Sequence, residues 1–251
     1  MHVSGRQFQP ISRLAAPPVL AIGKGFKGFG ARDGLREEPI HTALEPDSLT
    51  KLRTLRETLK TADPEQVWCM MEITHRMSFF EAIALATQQK RLLVSNFAYD
   101  RVLTRTDANS LVKTGTIIIY EAPNQPFGEV VVFGGIHFTI PIQFRGLVNH
   151  ALAVEYPDFD LKNGELVVPD EKTIHLIREF PTTDGWYLTH AETGIPCGGE
   201  VNQTNESARC LSRSSGSRIS SVDRTFFYGV NKRHISVFGM SWLCDSGVAL
   251  I

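Results

Sequence analysis

Residues Ser78–Leu103 read SFFEAIALATQQKRLLVSNFAYDRVL, and this stretch decides the fold class. It opens with Ser78-Phe79-Phe80-Glu81, a capping box: the serine hydroxyl reaches the Glu81 amide while the Glu81 carboxylate reaches back. Ala82, Ile83, Leu85 and Ala86 continue the helix to Gln89. After a short apolar run, Leu92-Leu93-Val94, Ser95 or Asn96 caps a further helix carrying Phe97, Val102 and Leu103.

Upstream, Leu49, Leu52, Leu55 and Leu59 fall on one face of Pro46–Lys60, with Asp47 or Ser48 placed to cap the start. Residues 1–45 are rich in Gly, Pro and basic side chains and read as an arm, flexible or docked. Their Gly23-Lys24-Gly25-Phe26-Lys27-Gly28-Phe29-Gly30 stretch lacks the Lys-Ser/Thr order of a phosphate-binding loop.

Downstream of Gly115 the period changes. Thr116–Tyr120, Glu129–Phe133 and Ile136–Ile142 are β-branched or aromatic runs separated by Pro123-Asn124 and Gly134-Gly135. Leu147–Val154 fits a strand or a short helix. Asn163-Gly164 between Phe159–Leu161 and Leu166–Val168 predicts a hairpin, because both turn residues tolerate positive φ. Thr173–Phe180 and Gly185–Leu188 are further strand candidates. Asn202–Ser221 is dense in Ser, Asn, Arg and Gly, and read alone suggests a linker. Thr225–Tyr228 and His234–Phe238 follow, and the chain closes on Gly247-Val248-Ala249-Leu250-Ile251, a terminal apolar strand that must be paired inside a sheet.

Composition bounds the function. Over 251 residues, 26 Lys+Arg face 27 Asp+Glu for a net charge of -1, which disfavours a dedicated nucleic-acid binder. A hydrophobic content of 42% suffices for a sizeable core, and no apolar run reaches the roughly 18 residues of a membrane span. No signal peptide is evident, so synthesis in the cytoplasm is expected, with virion association or surface display left open. The four cysteines, Cys69, Cys197, Cys210 and Cys244, form no CxxC pair and read as free thiols, a Cys197–Cys210 disulfide staying open.

The eight histidines (His2, His41, His75, His137, His150, His175, His190, His234) show no ligand spacing, so no metal is expected. Asp158, Asp160, Asp170 and Glu171 read as solvated turn carboxylates, and no GxSxG elbow marks a serine nucleophile. The window Arg209–Ser246 does stand out. It interleaves Phe226, Phe227, Tyr228, Phe238 and Trp242 with small polar groups and arginines, the mixture paratopes use; a core strand pair with a polar loop explains it as well.

Within Ser78–Leu103, Lys90-Arg91-Leu92 follows an alanine-rich helix, and Phe97 and Tyr99 stand where an aromatic step opens the next. This pattern resembles the paired helices of the C-type lectin fold in its formylglycine-generating-enzyme branch, and Arg213–Ile251 resembles the closing segment of that fold. Gln89 and Leu93 depart from the glycine and proline of the branch, and its paired catalytic cysteines find no counterpart. The composition is similar to variable proteins of diversity-generating retroelements, with Lys232, Met240 and Trp242 as scaffold.

The resemblance implies an α+β, C-type lectin-like fold with two helices, a mixed antiparallel sheet closed by the C-terminal strand, and a β-rich insert. The expected organisation is an arm (1–45) and a lectin-like domain (46–251) with helical lead-in (46–76), β insert (about 115–180) and ligand-binding segment (about 205–246). Ser215, Ser217, Arg218, Phe226, Phe227, Tyr228, Asn231, His234, Ser236, Phe238 and Ser241 are expected on its surface, supported by Arg213, Gly216, Arg224, Gly229, Gly247 and Val248. The first strand of the unit should pair with residues 246–251. A ligand- or receptor-binding protein without cofactor or enzymatic activity is implied, its partner a protein or surface ligand. No nucleic acid and no membrane span are expected, and self-association stays open. The alternatives are an enzyme of the formylglycine-generating-like branch and a viral or cellular structural subunit.

Overall fold

The chain ends inside a sheet. In a computed structural model that describes residues 44–251 apart from 75–76, 104–111, 122–123, 134, 214–217, 226–232 and 240–246, the protein is a mixed α+β molecule. Its elements are α1 (Pro46–Thr61), α2 (Pro64–Met70), β1 (Glu72–Ile73), α3 (Phe79–Gln89), α4 (Asn96–Leu103), β2 (Val112–Tyr120), β3 (Val130–Phe133), β4 (Ile136–Thr139), β5 (Ala151–Glu155), β6 (Asp160–Lys162), β7 (Glu165–Val167), β8 (His175–Ile177), β9 (Gly185–Thr189), β10 (Pro196–Glu200), β11 (Arg209–Arg213), β12 (Ile219–Thr225), β13 (His234–Gly239) and β14 (Gly247–Leu250). No helix among the described residues is long and apolar enough to cross a membrane.

Local chemistry accounts for the helices. The Ser78–Glu81 capping box forms as expected: the Glu81 amide donates to Ser78 Oγ at 3.2 Å and the Ser78 amide to the Glu81 carboxylate at 2.6 Å. Helix α4 begins under the Ser95 hydroxyl, which accepts from the Ala98 amide at 3.3 Å. Helix α1 differs from expectation. Its N-cap is Glu45, without a side-chain cap bond, because Pro46 occupies the first turn and is pre-set for that position. Among the described residues there are four helices: the expected lead-in helix, the two expected in Ser78–Leu103, and the brief α2, capped by Asp63, which its length hides from periodicity.

The principal sheet runs β1-β14-β2-β12-β13-β11-β9-β10, with β5 added on β2 and β8 on β5. The pairs β2/β14 and β11/β13 are parallel and the others antiparallel. Strand β14 is paired along both edges: Glu72 and Ile73 face Leu250 and Ala249 on one side, while Leu92–Val94 and the start of β2 face it on the other. β1, the first strand among the described residues, thus pairs with Ala249 and Leu250, inside the expected range.

Strand β2 holds two partners on one edge, β14 along Val112–Lys113 and β5 along Thr116–Tyr120. Gly115 lies at the hand-over. A Cβ there would stand 2.5 Å from the Leu93 carbonyl oxygen, so only glycine lets the Leu92–Val94 link pass this closely.

Of the expected insert, β2, β5 and β8 belong to the principal sheet; only β3-β4-β7-β6 form a separate four-stranded one. Asn163 (φ 51) and Gly164 (φ 78) make the expected two-residue turn between β6 and β7. The segment 202–221, linker-like by composition, contains β11 and the start of β12; pairing on both sides, not propensity, makes them strands.

Alternation in β2 divides the core. Ile117 and Ile119 join the helices, β14 and the small sheet in one apolar cluster, whereas Ile118 and Tyr120 join Leu211, Val222, Ile235 and Val237 in a second. Each fully buried Ile or Leu contributes roughly 1.5–3 kcal/mol, so both sides of β2 are strongly specified.

Candidate functional site

Strand β13 carries two chemistries on its two faces. Ile235 and Val237 are buried in the second apolar cluster, and His234 and Ser236 alternate with them. Across the ladders His234 pairs with Cys210 and Ser236 with Ser212 and Asp223, while the backbone of Phe238 is in register with Ser221. Lys113 of β2 faces Asp223 across the next ladder. Ser221 Oγ donates to Asp223 Oδ1 at 3.0 Å. Burial pushes the Asp223 acid up to about 6, against the opposing pull of Lys113 and that hydrogen bond.

This band corrects the expected surface in one respect. His234 and Ser236 are 6% and 0% exposed, so they cannot meet a ligand on the outside of the domain. Their strand runs through the middle of the sheet, with β11 and β12 closing both edges. Arg218 is half-buried, donating to Gln125 Oε1 at 3.0 Å with Glu121 at 3.4 Å. Ser215, Ser217, Phe226, Phe227, Tyr228, Asn231 and Ser241 lie outside the described residues, as do the supports Gly216 and Gly229.

The segments they occupy do not leave the sheet together. Segment 214–217 joins β12 at Arg218 and segment 226–232 leaves it at Thr225, with the full strand between, about 20 Å at the usual rise per residue. Segment 240–246 follows Gly239, which pairs with Ser220 near the first of these ends.

Buried charge ties the same strands to the helices. Arg209 donates to both Asp100 oxygens at 2.8 and 2.7 Å, and Arg224 binds the same carboxylate. Burial favours the neutral acid at Asp100, yet Arg224 and Arg209 hold it below the usual carboxylate range. Burial, aided by Arg224, keeps the His234 imidazole below its ordinary value. Arg233 stacks on Trp186 at 4.7 Å, and Arg213 lies over Tyr120 at 5.8 Å. Arg209, Arg213, Arg224 and Arg233 therefore all serve the framework, while Arg218 keeps part of its side chain at the surface. Val248 is buried, and a Cβ on Gly247 would fall 2.2 Å from the Thr74 carbonyl oxygen, so both support residues sit where packing is closest.

Cys197 and Cys210 are free, each on a strand paired to an opposite edge of β9. Two strand spacings, about 10 Å, exceed the reach of a disulfide. Among the described residues no three His, Cys, Asp or Glu side chains are arranged to hold a metal ion.

Two titratable clusters lie elsewhere, and sequence reading gave neither. Arg53 and Arg56 of α1 converge on Asp158 and Glu155, so Asp158 is a buried ion-pair member and not a solvated turn carboxylate. Arg53 and Arg56 do share a helix face by their spacing, the one signal available. His175 Nδ1 lies 3.0 Å from Glu192, with the His190 ring 6.4 Å away. Burial holds the His175 imidazole below its ordinary value, against the pull of Glu192.

No family model, curated protein or solved structure matches the chain.

Proposed function

We propose that the protein is a ligand- or receptor-binding protein displaying diversified residues on a C-type lectin-like scaffold, the variable protein of a diversity-generating retroelement. One observation carries the reading: segments 214–217, 226–232 and 240–246 each begin and end on strands of the principal sheet, and β11–β13 bury their apolar side chains in one core. In this reading the strand ends are held by the buried cluster of Leu211, Val222, Ile235 and Val237, so that residues of the connecting segments are exchanged against a fixed frame. The pairing of β1 with β14 agrees with the chain-end closure that a lectin-like unit requires. The partner is a protein or surface ligand, met by aromatic groups within a polar rim. No catalytic activity and no cofactor form part of the proposal.

The test is a displayed library randomised at Ser215, Ser217, Phe226, Phe227, Tyr228, Asn231 and Ser241. Most members should melt within about 5 °C of the parent, and selection on unrelated protein targets should yield binders. General unfolding of the library would place these residues in the core and end the proposal. The genetic counterpart is an adenine-rich near-copy of the 3′ coding segment beside a reverse transcriptase gene.

A further inference from the structure

Glu155 closes strand β5 with its side chain wholly buried and neither carboxylate oxygen hydrogen-bonded. The cation beside it is Arg56 of α1, whose Nε lies 3.7 Å from Oε2. That guanidinium is already committed. Its Nη1 donates to Asp158 at 2.6 Å and to the Glu155 main-chain carbonyl at 3.2 Å, and its Nε to Glu57 at 3.2 Å. Arg53 adds a second bond to Asp158 at 2.5 Å. Two buried carboxylates therefore share Arg56, and Asp158, which also holds Arg53, takes its best donors. A carboxylate left without hydrogen bonds in such a place is far costlier ionised than neutral.

We propose that Glu155 is a proton-binding site that sets how tightly α1 docks on the sheet, neutral while the helix is seated and ionised when it lifts. The charged groups around it support this. From α1 it meets Arg56, Lys60 and Glu57, and from the turn after β5, Asp158; its neighbour across the ladder on β2 is the uncharged Thr116. On β8, His175 lies opposite Ala153, two residues before Glu155 on its strand, and feels the same Lys60. Burial raises the Glu155 acid to about 7, with Arg56 and Lys60 pulling the other way.

The far end of α1 is held differently. Arg101 of α4 donates to the carbonyls of Leu59, Lys60 and Ala62 at 3.1, 2.5 and 2.9 Å, contacts that no titration near neutrality alters. The helix is thus pinned at its C-terminal end and proton-linked at its middle. The sign follows from the raised acid: seated helix and proton go together, so seating is tightest below the ordinary glutamate range. It weakens as pH climbs through 7, by up to about two orders of magnitude in the opening equilibrium.

Hydrogen exchange on the intact chain tests this, with protection in peptides from 46–61 corrected for intrinsic exchange at pH 5 and pH 8. In the wild type, α1 protection should fall about tenfold or more at pH 8 while β12 and β13 hold theirs. In Glu155→Gln it should be the same at both. Loss of protection to equal extent in Glu155→Gln, or no loss confined to α1 in the wild type, overturns the proposal. Should the variant not fold, a carboxyl-carbon NMR titration of wild-type Glu155 decides. A midpoint near 7 supports the proton site, and one near 5 or lower overturns it.

Discussion

Leu92 and Ile251 exchange two main-chain hydrogen bonds, 2.8 and 2.9 Å long, so the last residue of the chain is locked to the link between α3 and α4. Together with Glu72–Ile73 on the opposite edge, this makes Gly247–Leu250 an interior strand of the sheet.

Removing Gly247–Ile251 should therefore abolish cooperative unfolding rather than trim a loose end, since it strips partners from β1, β2 and the Leu92–Val94 link together. Circular dichroism on heating reads this directly. The milder Gly247→Ala should fold but lose about 2–4 kcal/mol, because its new methyl meets the Thr74 carbonyl rather than a yielding side chain.

Asp100 is shared by two arginines from two strands. Asp100→Ala should cost about 3–5 kcal/mol in urea denaturation, since it leaves both guanidinium groups without their shared carboxylate. Arg209→Ala should cost less, because Asp100 keeps its bond to Arg224. The double variant Asp100→Ala/Arg209→Ala should cost less than the sum of the two, and strict additivity would deny that the three groups act as a unit.

Burial, and then Arg224, disfavour the charged imidazolium of His234 and hold its pKa below the ordinary histidine value. A group with a depressed folded value stabilises above its unfolded value of about 6.5, and that contribution disappears as pH falls. Compared with the wild type, His234→Gln should thus gain relative stability between pH 7 and pH 5. Parallel urea titrations at the two pH values measure the difference, and a constant gap would show that His234 does not titrate in this range.

Thiol labelling should rank the described cysteines. Cys69 is exposed, whereas burial raises the Cys197 and Cys210 thiols, with Glu179 and Asp184 respectively adding to the effect. Iodoacetamide at pH 7.5 should modify Cys69 at least about tenfold faster, followed by peptide mass spectrometry. A Cys197–Cys210 cross-link under non-reducing conditions would contradict the intervening β9.

What could be read from the chain alone was whatever a few neighbouring residues decide. The Ser78–Glu81 box, the Asn163-Gly164 turn and the buried fate of the terminal GVALI strand each follow from local hydrogen bonding or from apolar side chains that must be covered. Tertiary structure alone decided that Arg209–Arg213 and Ile219–Thr225 are central strands despite their loop-like composition. Partners on both edges satisfy their backbone, and Asp100, 109 residues from Arg209, compensates their charge. The same holds for His234 and Ser236, whose polarity suggests a surface while their ladder neighbours bury them. Short-range patterns record which backbone geometry is cheap; they carry no record of which distant groups will arrive to cover a polar side chain or share its charge.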